Sequence, residues 1–242
     1  MTTPRFHVPE AAPGARVTLP EHAAHHAREV LRLRTGFGVH VFDGAGHEFG
    51  GTLEEVSRRA VVVRLDTAVT PRAESPLRVV LAVSPLKGDH MELVIQKAVE
   101  LGVAEVWPVV TARTDAAARP ALKGSRQERW DKVASGAAEQ SGRATVPLVA
   151  PTLTFDAMLA RPFQGTRVLL LETGHNATLA SLPAPDAILM LVGPAGGWDE
   201  REVPRLAAAG FTAVSVGPRI LRAETAAITA VALAQGLWGD LR

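Results

Sequence analysis

Over residues 1–72 the apolar positions come in short stretches of strand type: Val17-Thr18-Leu19, Gly38 to Phe42, His47 to Leu53 and Ala60 to Leu65. Asp43-Gly44 and other turn residues separate them, as in a small β-rich module. A helical pattern interrupts the strands. Glu21 to Leu33 carries Ala23, Ala27, Val30 and Leu31 at helical spacing, which predicts a core-facing stripe and leaves His22, His25, His26, Arg28, Arg32 and Arg34 on or near the other faces. Pro71 to Pro76 is polar and bracketed by prolines, so it reads as a linker with a boundary near 73 and domains over 1–72 and 77–242.

Beyond the linker the rhythm changes. Leu77 to Val83 is a continuous apolar run of buried-strand type, and Met91, Val94, Ile95, Ala98 and Leu101 then follow at helical spacing up to Gly102. Val103 to Val110 is the next strand, completing a β-α-β unit of the sort that builds a parallel sheet. Asp89 with Glu92 predicts a capping box on the first helix, and Asp199 with Glu202 predicts a second one further on. Trp130, Val133, Ala137 and Gln140 place another helix, and Phe155 to Leu159 a short one. Strands are expected at Arg167 to Leu171, Ile188 to Val192 and Thr212 to Val216, with helices at Asp199 to Ala209 and Glu224 to Leu237. The fold class is therefore α/β, preceded by a small β-rich domain.

Composition narrows the function more by exclusion than by suggestion. At 242 residues, with 47% hydrophobic and 21% charged residues, the chain is long enough for two cores and shows no bias towards disorder. It has no cysteine, which removes disulfides, zinc fingers and thiol catalysis. Its start lacks an apolar signal core, and no apolar run approaches the roughly 18 residues of a membrane span, so a cytoplasmic protein is expected. The formal charge is only +1, so any nucleic-acid binding must come from local patches. One such patch is Arg113 to Arg143, with seven basic and four acidic residues. His22, His25 and His26 invite a metal reading, but the spacing lacks the Glu of a His-Glu-x-x-His motif, and no metal is expected. That His/Arg face is either simply solvated or turned towards phosphates.

Two Gly-Pro loops hold the candidate chemistry. Leu191-Val192-Gly193-Pro194-Ala195-Gly196-Gly197 and Ser215-Val216-Gly217-Pro218-Arg219-Ile220-Leu221-Arg222 each follow a strand-like run and precede a helical pattern. Each thus presents backbone N–H groups at a strand-to-helix turn, where a polar ligand can sit. Glu172-Thr173-Gly174, after another strand, is a third such loop. No Gly-x-x-x-x-Gly-Lys-Ser/Thr occurs, and the near-match to a dinucleotide fingerprint, Gly44-Ala45-Gly46, has no helix after it.

Gly217-Pro218-Arg219-Ile220-Leu221-Arg222-Ala223-Glu224-Thr225-Ala226 resembles a signature of the SPOUT methyltransferases, specifically of the ribosomal RNA small subunit methyltransferase E family, which methylates uracil N3. Gly193 to Trp198 is similar to that family's Gly-Pro-Glu-Gly-Gly loop, with Ala195 where the family usually has Glu. Lys87 to Glu92, Gln96 to Val103 and Glu139-Gln140-Ser141-Gly142-Arg143 also match, and His25 to Arg32 with Val41 to Gly44 is similar to the family's PUA-like RNA-binding domain.

The resemblance implies a SPOUT domain with a deep trefoil knot, a homodimer with its active site at the subunit interface, 16S rRNA of the small subunit as substrate, and S-adenosylmethionine as cofactor. Mapped onto this chain, the cofactor would lie on Leu171, Glu172, Thr173, Val192, Gly193, Pro194, Gly196, Gly197, Val216, Gly217, Ile220 and Leu221. RNA would be held by His25, His26, Arg28, Arg32, Arg34, Lys87, Arg113 and Arg143. Methylating N3 requires its proton to leave while charge builds on the ring, and Arg222 is the candidate to stabilise that charge, with Glu224 and Thr225 orienting it or the base. The general base stays unassigned. Two other functions remain open: a SPOUT enzyme acting on another nucleotide or a ribose 2′-hydroxyl, and a non-catalytic RNA-binding assembly protein.

Overall fold

The computed structural model describes residues 3–116, 118, 126–172 and 177–241. The chain forms two compact units, Met1–Glu74 with Ser135–Val146, and Ser75–Ala134 with Pro147–Arg242. The first is therefore not one continuous stretch: residues 135–146, which the sequence reading leaves in the second domain, cluster with it.

The first unit is built on a five-stranded sheet in the order β1-β3-β4-β5-β2, comprising β1 (Arg5–His7), β2 (Arg16–Thr18), β3 (Gly38–Phe42), β4 (Glu48–Val56) and β5 (Val61–Val69). Its alternation is that of a sheet with one buried face: Val61, Val63 and Leu65 on β5 are buried, while Arg64 and Asp66 between and beyond them are exposed. The expected helix of Glu21 to Leu33 is shorter and irregular. It runs as α1 (Glu21–His25), then widens to a π-turn over His26–Val30. Leu31 N–H donates to His26 O across five residues, and Leu33 N–H to Ala27 O, with Arg32 between them at φ 51. The wide turn shifts the apolar register. Ala23 and Ala27 face the core as predicted, but Val30 and Leu31 are turned outwards and Leu33 is buried in their place.

A buried polar network anchors residues 135–146 to this unit. Arg5 donates from Nε and Nη2 to both carboxylate oxygens of Glu48, at 2.9 and 3.0 Å, and from Nη1 to the Glu139 carbonyl at 3.1 Å. Glu139 accepts the His7 backbone N–H at 2.8 Å, and Ser135 Oγ meets His7 Nδ1 at 2.8 Å. Burial pushes the Glu139 carboxyl up and the His7 imidazole down, so both lean towards neutrality. Glu48 behaves oppositely: burial works to raise its carboxyl, but the hydrogen bonds and charge of Arg5, with His40, outweigh that and hold it below the usual value.

The second unit is a parallel sheet. Its strands are β6 (Arg78–Val83), β7 (Glu105–Val110), β8 (Leu148–Val149), β9 (Leu153–Thr154), β10 (Thr166–Leu170), β11 (Ala187–Val192) and β12 (Phe211–Val214). They lie in the order β12-β10-β11-β6-β7-β8, with β9 also pairing β7, and every pair is parallel. The central strands are buried almost throughout, which is why they read as continuous apolar runs. Its helices are α2 (His90–Glu100), residues 127–134 of α3 (Gln127–Ser141), α4 (Phe155–Ala160), α5 (Glu202–Ala208) and α6 (Ala223–Trp238), and α2 packs on α6. The capping box expected at Asp89 does not form. The Asp89 carboxylate instead accepts from Arg129 Nη2 at 2.6 Å, and Arg129 Nε lies 3.0 Å from Glu92, so one guanidinium takes both carboxylates away from the helix end.

The Arg5–Glu48 pair makes a stability prediction. Arg5→Gln should cost about 3 kcal/mol at neutral pH, because it takes the guanidinium from Glu48, only 5% exposed, and leaves that buried carboxylate with the His40 imidazole. Glu48 has a depressed folded-state value, so the pair's contribution is present above the unfolded carboxyl value and is lost as pH falls through the folded one. Urea unfolding followed by far-UV circular dichroism should show the gap between parent and variant closing on acidification. A gap that stays constant with pH refutes this account.

Candidate functional site

In an all-parallel sheet the carboxyl ends of the strands share one edge, so the loops that follow them are gathered there. Five of these loops surround one cavity of about 770 Å³ in the second unit, within the range that holds a drug-sized ligand. Pro85 to Lys87 and His90 follow β6, Arg113 and Asp115 follow β7, Leu171 and Glu172 follow β10, Gly193 to Trp198 follow β11, and Val216 to Glu224 follow β12, of which Pro218 does not line the space. Main-chain bonds continue the sheet into this edge: Ser84 N–H donates to Val192 O at 3.1 Å and Leu171 N–H to Val214 O at 3.0 Å.

The loop after β11 is shaped by what its glycines omit. A Cβ on Gly193 would stand 2.7 Å from the Trp198 ring, so the ring can lie against the backbone only because that atom is absent. Beneath the loop, Glu202 is 6% exposed and fully engaged: Oε1 accepts the Ala112 N–H at 2.8 Å and Oε2 the Asp199 N–H at 3.1 Å. The second bond is the return half of the predicted capping box. The Asp199 side chain does not supply the other half, because it accepts from Arg201. Glu202 thus fastens the Gly193–Asp199 loop to the segment after β7. Gly217, in the loop after β12, holds φ at +129 with nothing within 4 Å of a built Cβ, a backbone turned towards open space in a conformation that side chains rarely allow.

Charge is concentrated at the rim. Lys87 Nζ lies 2.8 Å from Asp115, Arg113 Nε lies 3.9 Å from Asp199, and His90 Nδ1 lies 3.2 Å from Glu224 Oε1. Arg222 is the N-cap residue of α6, exposed, with its carbonyl accepting the Ala226 N–H at 2.8 Å. Glu224 sits in the first turn of the same helix, where the positive end of the helix favours a negative charge.

Of the residues expected to hold a cofactor, Leu171, Glu172, Val192, Gly193, Pro194, Gly196, Gly197, Val216, Gly217, Ile220 and Leu221 all line this cavity, and Thr173 lies outside the described residues. Arg222 and Glu224 line it as well, whereas Thr225 is exposed and not part of the lining. Lys87 and Arg113, assigned to RNA from sequence, also come to its mouth. His25, His26, Arg32 and Arg34 are exposed on the first unit, where Arg28 is half-buried and donates to Ser57 O at 3.1 Å. Arg143 is buried, and its Nη2 is 2.6 Å from Glu74, so its guanidinium serves the interior of its own unit. The sequence reading missed His90, Asp115, Trp198 and Arg219 as lining residues. His90, Trp198 and Arg219 lie inside quoted motifs and were within reach, but nothing in the spacing of Asp115 marks it. No group of side chains suited to a metal ion occurs among the described residues.

Residues 73–235 match the family model of an RNA methyltransferase domain and residues 19–66 that of an RNA methyltransferase PUA domain. The ribosomal RNA small subunit methyltransferase E of a Synechocystis strain is 37% identical over 232 residues, covering 93% of this chain and 74% of that protein. The protein of the same name from Bacillus subtilis is 33% identical over 231 residues, covering 92% and 90%. The crystal structure of the Neisseria gonorrhoeae ribosomal RNA small subunit methyltransferase E, bound to S-adenosyl methionine, superposes with a TM-score of 0.91 at 36% identity over the whole of both chains. A PUA-like domain before an α/β methyltransferase domain, matched along nearly its full length by such relatives, means that the chain belongs to the ribosomal RNA small subunit methyltransferase E family.

Proposed function

We propose that this protein methylates N3 of a uridine in 16S rRNA, using S-adenosylmethionine and working as a homodimer. The observation that carries the reading is the cavity at the carboxyl edge of the parallel sheet, floored by glycine loops and rimmed by Arg222 and Glu224. The residues fit the cofactor: the open backbone at Gly217 and the apolar walls of Leu171, Val192 and Leu221 suit an adenosine, and the exposed Glu172 offers a carboxylate to its cationic groups. Ala195 therefore does not leave the cavity without negative charge. When bound, S-adenosylmethionine supplies a methyl group on a sulfonium, an electrophile that needs no metal. The chain's task is then to hold the base and stabilise its charge, and Arg222 at the mouth is placed to donate to a uracil carbonyl.

The exposed Arg32 and Arg34 of the first unit, with His25 and His26, are the surface offered to RNA phosphates. Leu233, Leu237 and Leu241 are 42%, 39% and 47% exposed, and these large apolar side chains near the end of the chain are what a second copy would cover.

Four outcomes test this reading. Small ribosomal subunits from a strain lacking the enzyme should acquire N3-methyluridine, identified by mass spectrometry of nucleosides; a 2′-O-methyl product, or none, refutes the assignment. In the same assay Gly217→Val should lose cofactor binding by calorimetry, whereas Arg222→Ala should keep it and slow the single turnover by about 100-fold or more. Arg32→Gln with Arg34→Gln should weaken RNA binding and flatten its dependence on log salt by roughly 1.4, about 0.7 for each lost single-strand phosphate contact, with cofactor affinity unchanged. Light scattering should give the mass of a dimer, and Leu237→Glu should give a monomer; a monomeric parent refutes the homodimer.

A further inference from the structure

Uracil N3 carries a proton, and its lone pair becomes available for methyl transfer only when that proton has somewhere to go. Most charged groups at the cavity are unsuited to receive it. Arg113, Arg219 and Arg222 are cations with no lone pair to offer. Lys87 and Asp115 are engaged with each other at 2.8 Å. Glu172 is exposed and also lines the cavity, but it is the carboxylate offered above to the cationic groups of the cofactor. His90 differs from all of these. It is the first residue of α2, its side chain is about half exposed, and it is the one imidazole among the described residues that line the cavity.

We infer that His90, held by Glu224, is the general base that takes the N3 proton, an inference that rests on the uracil-N3 reading above. The geometry assigns the two ring nitrogens different duties. Nδ1 lies 3.2 Å from Glu224 Oε1, so the carboxylate favours a proton on that nitrogen and leaves the lone pair of Nε2 free. Glu224 is 17% exposed in the first turn of α6, which is packed against α2, so the pairing is made between two helices of one core. The N3–H bond breaks with its electrons left on nitrogen, and the proton goes to Nε2. The nitrogen pair forms the new bond to the methyl carbon, while the electrons of the old methyl–sulfur bond stay on sulfur. The imidazolium produced is stabilised by Glu224, and Arg222, two residues earlier, faces the negative charge on the ring. One helix start thus carries the partner of the base and the partner of the anion.

The inference is tested first without turnover. Nitrogen-15 NMR of the cofactor-free protein should find His90 protonated at Nδ1 and bare at Nε2, and Glu224→Gln should remove that bias. In single turnovers His90→Ala should be slower by about 100-fold or more at neutral pH, the usual worth of a general base, with cofactor affinity within threefold of the parent. Its rate should climb with pH as solvent base takes over, and added imidazole should restore it. A parent enzyme whose product is not N3-methyluridine refutes the function beneath the inference. N3-methyluridine formed by His90→Ala at the parent's rate and with its pH profile refutes the inference alone, as does an Nε2-protonated His90 in the parent.

Discussion

The parallel pairing of β6, β10, β11 and β12 is the constraint on which the site depends. Parallel strands need crossover connections, and each crossover leaves its strand at the same edge, so ladder hydrogen bonds between residues far apart in sequence bring their loops to one place. Because both faces of the sheet are covered, its inner strands are apolar and carry no chemistry. The polar groups are displaced to the ends, where Ser84 and Leu171 still donate to neighbouring strands before the backbone turns away.

Burial is used differently in the two units. In the first, Arg5, Glu48, His7 and Glu139 are taken out of water and satisfied by one another, so their charges and protons are committed to structure. In the second, Glu202 plays that part beneath the glycine loop, while Lys87, His90, Arg113, Arg222 and Glu224 stand at the cavity, where a substrate can reach them. The contrast separates Arg143 from Arg222. Both lie in family-like motifs, yet one is closed over by Glu74 and the other is exposed beside the cavity.

Much of the fold was legible because burial leaves a period. The parallel strands appeared as unbroken apolar runs, α2 and α6 as helical stripes, and the cavity loops as Gly-Pro turns between them. Where the period misled, a competing contact explains it. Val30 and Leu31 fit the apolar stripe, but the π-turn adds a residue to the helix and delivers Leu33 to the core instead. Asp89 is spaced to cap α2, but its carboxylate turns instead to Arg129, forty positions away, and leaves the helix end without a side-chain cap. The short strands β1, β8 and β9 have two or three residues each, too few to show any alternation.

By itself the sequence determined which segments are strands and helices, where the glycine loops lie, and which family the motifs resemble, because local propensity and periodicity act over a few residues. The tertiary structure alone decided which charges meet. His90 and Glu224 are 134 positions apart, and Arg5 and Glu139 are likewise 134 apart, so neither partnership leaves any local mark. Such pairs are set by how helices and sheets pack, and packing is a property of distant surfaces brought together, which no spacing along the chain records.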